Sequence, residues 1–225
     1  LLMTLSQVPR EKPLILCGPK GLREFIECNR RFLGFQHSFD LDVIETTGGT
    51  VFDDDELGID CSPADHSCFT LAYGLRENER PGRFLTEEAK RLGVQPGPLF
   101  GQLQAGESVM LDDGREVHSD DVLGPPRRGR KIVYATDTRP CDEVALLAHH
   151  ADVLVHDGMF DDDLRDQAKL KKHSTVVQAA RLAKRAQVKR LILTHVSNRY
   201  LDDRPLLLQA RSVFPNTKMA RDLME

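Results

Sequence analysis

Five positions carry side chains suited to acid–base or metal chemistry: His66, Asp137, Asp157 beside His156, His173 and His195. Imidazole nitrogen and carboxylate oxygen are zinc's usual non-thiolate ligands. A carboxylate can also bridge two metal ions, which sit about 3.5–4 Å apart in two-metal hydrolases. No compact H-E-x-x-H stretch is present to concentrate that signal. Spacing alone leaves a plainer reading open. Asp137 would then cap a turn, and the histidines would be polar loop residues, since histidine is often only partly buried.

The elements around these residues supply a reason for them to meet. Lys131 to Ala135 reads as a strand that ends at Asp137, and Asp152 to Val155 as one that ends at His156-Asp157. Leu191 to Leu193 is a short apolar run suited to a buried parallel strand, and His195 follows it. Ligands of open α/β sheets bind outside the carboxyl ends of the strands. His66 lies between strand candidates at 57–61 and 68–75, at a sheet rim. His173 precedes a helix announced by Thr175 and Gln178, which fit a capping box, with Val176, Ala179, Ala180 and Ala183 as its apolar face.

Strand and helix alternate from Lys131 onward, through helices expected at 141–150 and 204–214. That pattern predicts an α/β fold with a parallel sheet under covering helices. Upstream, Leu14 to Cys17 reads as a strand, Gly21 to Leu33 as a helix, and 41–47 with 50–52 as strands about a hairpin-type turn at Gly48-Gly49. Residues 77–125 differ in character. A short helix is expected near 87–92 and a small hairpin at 109–117 around Asp113-Gly114, with apolar content too thin for a separate core. This stretch reads as an insertion.

At 225 residues the chain can build one sizeable domain or two small ones. Its 40% hydrophobic and 29% charged residues are those of a globular protein without a membrane-spanning run. Five scattered cysteines form no C-x-x-C pair, which argues against a thiolate zinc site and suits a reducing cytosol. The net charge of −4 argues against indiscriminate nucleic-acid binding. Local basic stretches at 127–131, 169–172 and 184–190 remain, each with a solvated face as the simpler reading. The chain begins with leucine inside what looks like an element, so an amino-terminal piece is expected to be missing.

A set of motifs in fixed order sharpens this picture. They are Gly18-Pro19-Lys20-Gly21; Asp65-His66-Ser67 leading into Thr70-Leu71-Ala72-Tyr73; and Pro96-Gly97-Pro98-Leu99. Then come Thr136-Asp137-Thr138-Arg139-Pro140, residues 151–160, His173-Ser174-Thr175, and the run from Thr194 to Tyr200. Together they resemble the ribonuclease Z family over essentially the whole chain. The resemblance implies a metallo-β-lactamase fold, an αββα sandwich, here one domain over 1–225 with an inserted arm at 77–125 that grips tRNA. It implies a zinc-dependent endoribonuclease that removes the 3′ trailer from precursor tRNA, cytoplasmic and homodimeric, with two Zn2+ per complete site. It implies His66, Asp137 and His195 as metal ligands, Asp137 bridging, and His173 as a catalytic residue outside the metal shell. Substrate contacts are implied at Pro96, Gly97, Pro98 and Arg199. Residues 156–160 read HDGMF where the family usually has HEATF. The family's first zinc motif, H-x-H-x-D-H, has no counterpart, and the eight histidines include no H-x-H pair. That motif lies shortly before the segment with which the chain begins, so the resemblance implies a fold incomplete at its amino terminus. The three remaining ligands would be too few to hold two metals tightly. Another hydrolase of the same fold, or an RNA-binding chain without catalysis, are the alternatives.

Overall fold

A computed structural model describes residues 1–223. A short helix α1 (Leu2–Leu5) precedes strand β1 (Leu14–Gly18) and helix α2 (Leu22–Leu33). Strands β2 (Leu41–Glu45), β3 (Gly49–Asp53), β4 (Leu57–Ala64) and β5 (Thr70–Glu77) follow. Next come helices α3 (Thr86–Arg91) and α4 (Pro98–Gln104) and strands β6 (Val109–Met110) and β7 (Glu116–Val117). The remainder is β8 (Lys131–Ala135), α5 (Asp142–Leu147), β9 (Val153–Asp157), α6 (Arg165–Lys171), α7 (Val176–Arg185), β10 (Arg190–Thr194), α8 (Arg204–Val213) and β11 (Thr217–Met219). The chain divides into two compact units, 1–76 with 131 onward, and 77–130.

In the first unit a seven-stranded sheet runs in the order β11-β10-β9-β8-β5-β4-β3. Strands β8 to β11 are parallel, as their alternation with helices requires, and β5 turns the sheet antiparallel against β8. One face buries Ala72, Val133, Ala135, Leu154, Leu191 and Leu193 against Val144 of α5 and the Val176, Ala179, Ala180 and Ala183 stripe of α7. The small alanines let the helix backbone approach the sheet. From the opposite face, the Tyr73 hydroxyl donates to the Cys17 carbonyl at 3.0 Å. This ties the large sheet to a second one, β1 paired in parallel with β2.

Two expectations about strands and helices need correction. Gly48-Gly49 does not close a hairpin between its flanking strands. β2 pairs with β1, whereas β3 pairs with β4, so the two glycines carry the chain from one sheet to the other. Their φ values of 147° and 101° explain why glycine occupies both positions. The helix expected over 141–150 spans only Asp142–Leu147.

The second unit does have a core. Ala89, Val94, Leu103, Val109, Val117 and Val122 are buried together, flanked by the tilted ring pair Phe84–Phe100. Periodicity missed it because the six residues come from several short elements. A narrow two-stranded stalk closes the unit. Arg80 and Arg127 exchange backbone hydrogen bonds at 2.9 and 2.8 Å, and the Glu77 amide donates to the Arg130 carbonyl at 2.8 Å.

Candidate active site

Strands β8, β9 and β10 run in parallel, so Asp137, Asp157 and His195 emerge at one rim. Because β5 is antiparallel to β8, the β4–β5 turn bearing His66 reaches the same rim. A backbone bridge between Asp65 and Arg139 fixes it there. The segment entering α7 adds His173. Thr175 and Gln178 form the reciprocal capping box read from the sequence: the Gln178 amide donates to Thr175 Oγ1 at 3.1 Å, and the Thr175 amide to Gln178 Oε1 at 2.9 Å.

The side chains converge closely. His195 Nε2 lies 2.9 Å from Asp137 Oδ1, and both side chains are about two-fifths exposed, at 40% and 45%. His173 Nδ1 donates to Asp157 Oδ2 at 2.6 Å. Its ring stacks on that of His195 with centres 5.0 Å apart, and lies 4.8 Å from the ring of His66. Asp137, Lys172 and His195 all sit in the left-handed region, with φ of 52°, 55° and 60°. Non-glycine residues there cost about 1–3 kcal/mol each and collect at functional sites.

Asp137, Asp157, His173 and His195 each bring one donor atom within 4.8 Å of the others, a group that can hold a metal ion. The chemistry of the donor set fits: two imidazoles and two carboxylates, with no thiolate. Asp157 is its least available member. It is wholly buried, and its carboxylate already accepts hydrogen bonds from His173 and from the backbone amides of Thr138, Met159 and Ser174. Such a carboxylate orients its neighbours before it binds anything else.

The structure brings Asp137, His173 and His195 together as donors and sets His66 beside them, its ring against that of His173 but outside that donor group. It also brings in Asp157, which the sequence places at the end of a strand but assigns to neither the metal nor the catalytic set. Its position at a strand's carboxyl end, like that of Asp137, was the available signal. Arg199 lies over the ring of buried Phe160 at 5.0 Å, and bonds Gln167 and Ser197. Phe160 in turn presents its ring to His173 edge-on. A cavity of about 540 Å³ opens beside His195, lined by Ser197, Tyr200, Arg204 and Arg221 among others. Pro96, Gly97 and Pro98 belong to the second unit, where Pro98 begins α4.

Electrostatics tighten the rim. Burial would raise the Asp65 carboxyl, but hydrogen bonds from Arg139 and Lys172 and their charges hold it below its ordinary value. His156, wholly enclosed beneath the rim, is pushed down by burial, which outweighs its hydrogen bond with the Asp157 carbonyl.

Comparison with known proteins places this geometry. Residues 111–196 match the family model described as "Beta-lactamase superfamily domain". The chain is 43% identical over 226 residues to a ribonuclease Z of Methanosarcina acetivorans, covering 100% of this chain and 74% of that protein. It is 46% identical over 215 residues to a ribonuclease Z of Methanothermobacter thermautotrophicus, covering 96% and 69%. Among solved structures it resembles human tRNase Z, short form, with a TM-score of 0.64 at 22% identity, over 99% of this chain and 70% of that one. The fold is that of the metallo-β-lactamases.

Proposed function

The chain belongs to the ribonuclease Z family, and from that membership we propose that it is a zinc-dependent endoribonuclease that removes the 3′ trailer from precursor tRNA. The observation that carries the reading is the rim itself. An Asp137–His195 pair suited to metal stands beside a histidine held by a buried carboxylate.

His66, Asp137 and His195 would hold zinc, with His173 poised next to them. Zinc, when bound, supplies hydroxide at neutral pH and positive charge facing the phosphodiester. The protein's own groups do the rest. Asp157 accepts the Nδ1 proton of His173, which fixes the orientation of the ring. Nε2 is then the atom that can give a proton to the departing oxygen or donate to the phosphate. Attack in line with the leaving group yields tRNA with a 3′-hydroxyl and a trailer with a 5′-phosphate.

The unit 77–130 is the tRNA-binding arm in this reading, with Pro96, Gly97 and Pro98 among its contacts and Arg199 contacting substrate near the rim. The arm carries eight Arg and Lys against ten Asp and Glu, a net charge of −2. Bulk attraction to phosphate is therefore weak, and recognition falls to shape and local contacts. None of the described helices is long and apolar enough to cross a membrane. Five free cysteines support a cytoplasmic location. Homodimerisation is proposed on family membership alone, and sedimentation of the purified chain tests it.

The decisive experiment offers the chain a precursor tRNA with a 3′ trailer, with and without added zinc. Cleavage to the two stated ends is expected only with metal. Replacing 81–126 by a tight turn should abolish tRNA cleavage and spare hydrolysis of a small phosphodiester. Loss of neither activity would point instead to a hydrolase of small substrates.

A further inference from the structure

His66 is held from two sides by one residue, Lys172. Lys172 ends α6 in the left-handed conformation, φ 55° and ψ 46°, which swings its carbonyl away from the helix axis. That carbonyl lies 3.1 Å from His66 Nδ1. A carbonyl oxygen only accepts, so Nδ1 carries a proton, and in the neutral ring Nε2 is the bare nitrogen. The Lys172 ammonium returns across the same gap. It donates to the His66 carbonyl at 3.1 Å and pairs with Asp65 Oδ1 at 3.1 Å.

Asp65 extends the contact to a third loop. Its other carboxylate oxygen is bonded by Arg139 Nε, its amide donates to Thr138 Oγ1 at 3.0 Å, and its carbonyl accepts from the Arg139 amide at 3.1 Å. Thr138 and Arg139 directly follow Asp137, and Lys172 directly precedes His173. One small polar cluster therefore joins the loops that bear His66, Asp137 and His173.

We propose that Lys172, with Asp65, is a positioning residue that sets the tautomer and aim of His66, leaving Nε2 as its only ligating atom. Partners that hold the second nitrogen of a ligand histidine typically change metal affinity by about 10–100-fold. The inference rests on His66 acting as a metal ligand. Two elements of the latch are separable: the carbonyl survives any substitution at 172, whereas the ammonium does not.

The test reads imidazole nitrogens in protein labelled with 15N-histidine, first without metal and then during zinc titration. In the parent chain His66 should show a protonated Nδ1 and a bare Nε2, and zinc should perturb Nε2. Lys172→Met keeps the carbonyl, so His66 should keep its tautomer, while loss of the ammonium should weaken zinc binding by about 10–100-fold. Lys172→Gly suits φ 55° and guards against a misfolded variant; it should lose zinc affinity to the same degree. Lys172→Arg should restore most of it. A parent His66 with its proton on Nε2 rather than Nδ1 overturns the proposal, as does either ammonium-free variant with parental zinc affinity. Should the expected parent tautomer and the affinity changes appear while precursor tRNA stays uncut, the latch stands and the ribonuclease reading falls.

Discussion

Nδ1 of His173 lies 2.6 Å from Oδ2 of Asp157, with the carboxylate wholly buried and the histidine side chain only 10% exposed. The two residues are sixteen apart in sequence, one at the end of β9 and the other at the entrance to α7. With Nδ1 engaged by the carboxylate, Nε2 is the nitrogen left to act at the rim.

Asp157→Asn keeps the shape and removes the charge. Single-turnover cleavage of precursor tRNA should fall about 10²–10⁴-fold, the usual worth of positioned acid–base catalysis. Zinc content should stay at the parental level, because Asp137 and His195 are untouched. A variant that loses its zinc instead would make Asp157 a ligand.

His173→Ala should retain zinc and lose rate, and it should also melt earlier. The substitution strips one partner from a buried carboxylate, which costs about 1–3 kcal/mol. The remaining amide donors of Thr138, Met159 and Ser174 limit the damage. Differential scanning calorimetry beside metal analysis separates these effects. Undiminished cleavage would remove His173 from the chemistry.

Acid should weaken the first unit through His156. Burial lowers its pKa in the folded chain, so below the ordinary value of 6.5 the unfolded chain takes up a proton that the folded chain refuses. Stability contributed by the neutral ring is thus complete above that value and declines as pH drops toward the folded-state value. Nε2 of His156 has no hydrogen-bond partner among the described residues, so His156→Leu should fold. Urea titrations between pH 5 and 7 should show a shallower pH slope for that variant, and equal slopes would refute the assignment.

The stalk of the second unit should respond to acid in a lower range. Arg130 bonds the Glu77 carboxylate through its side chain and its amide, holding the carboxyl down to about 2 from 4.5. Any stabilisation from the pair is present above 4.5 and is lost as pH falls toward 2. Amide chemical shifts of Glu77 and Arg130 followed across that range should titrate together. Glu77→Gln should flatten both curves.

Much of the architecture was legible from local pattern. The parallel strands, the capping box at Thr175 and the strand-end placement of Asp137 and His195 follow from periodicities of two and 3.6 and from short-range hydrogen-bond chemistry. Motif order was legible as well, and it carried the family. The core of the second unit was hidden, because Val94, Leu103 and Val122 sit in short elements that show no period.

The sequence by itself determined which elements form and which chemical groups stand at their ends, since those depend on neighbours a few residues away. Only the tertiary structure decided which group meets which. Asp157 faces His173 because β9 and the α7 entrance pack together. His66 receives Lys172, 106 positions distant, because a single residue adopts φ 55° and turns its carbonyl across the rim. Such partnerships rest on backbone geometry in loops and on the burial that fixes it, and no periodicity in the chain encodes either.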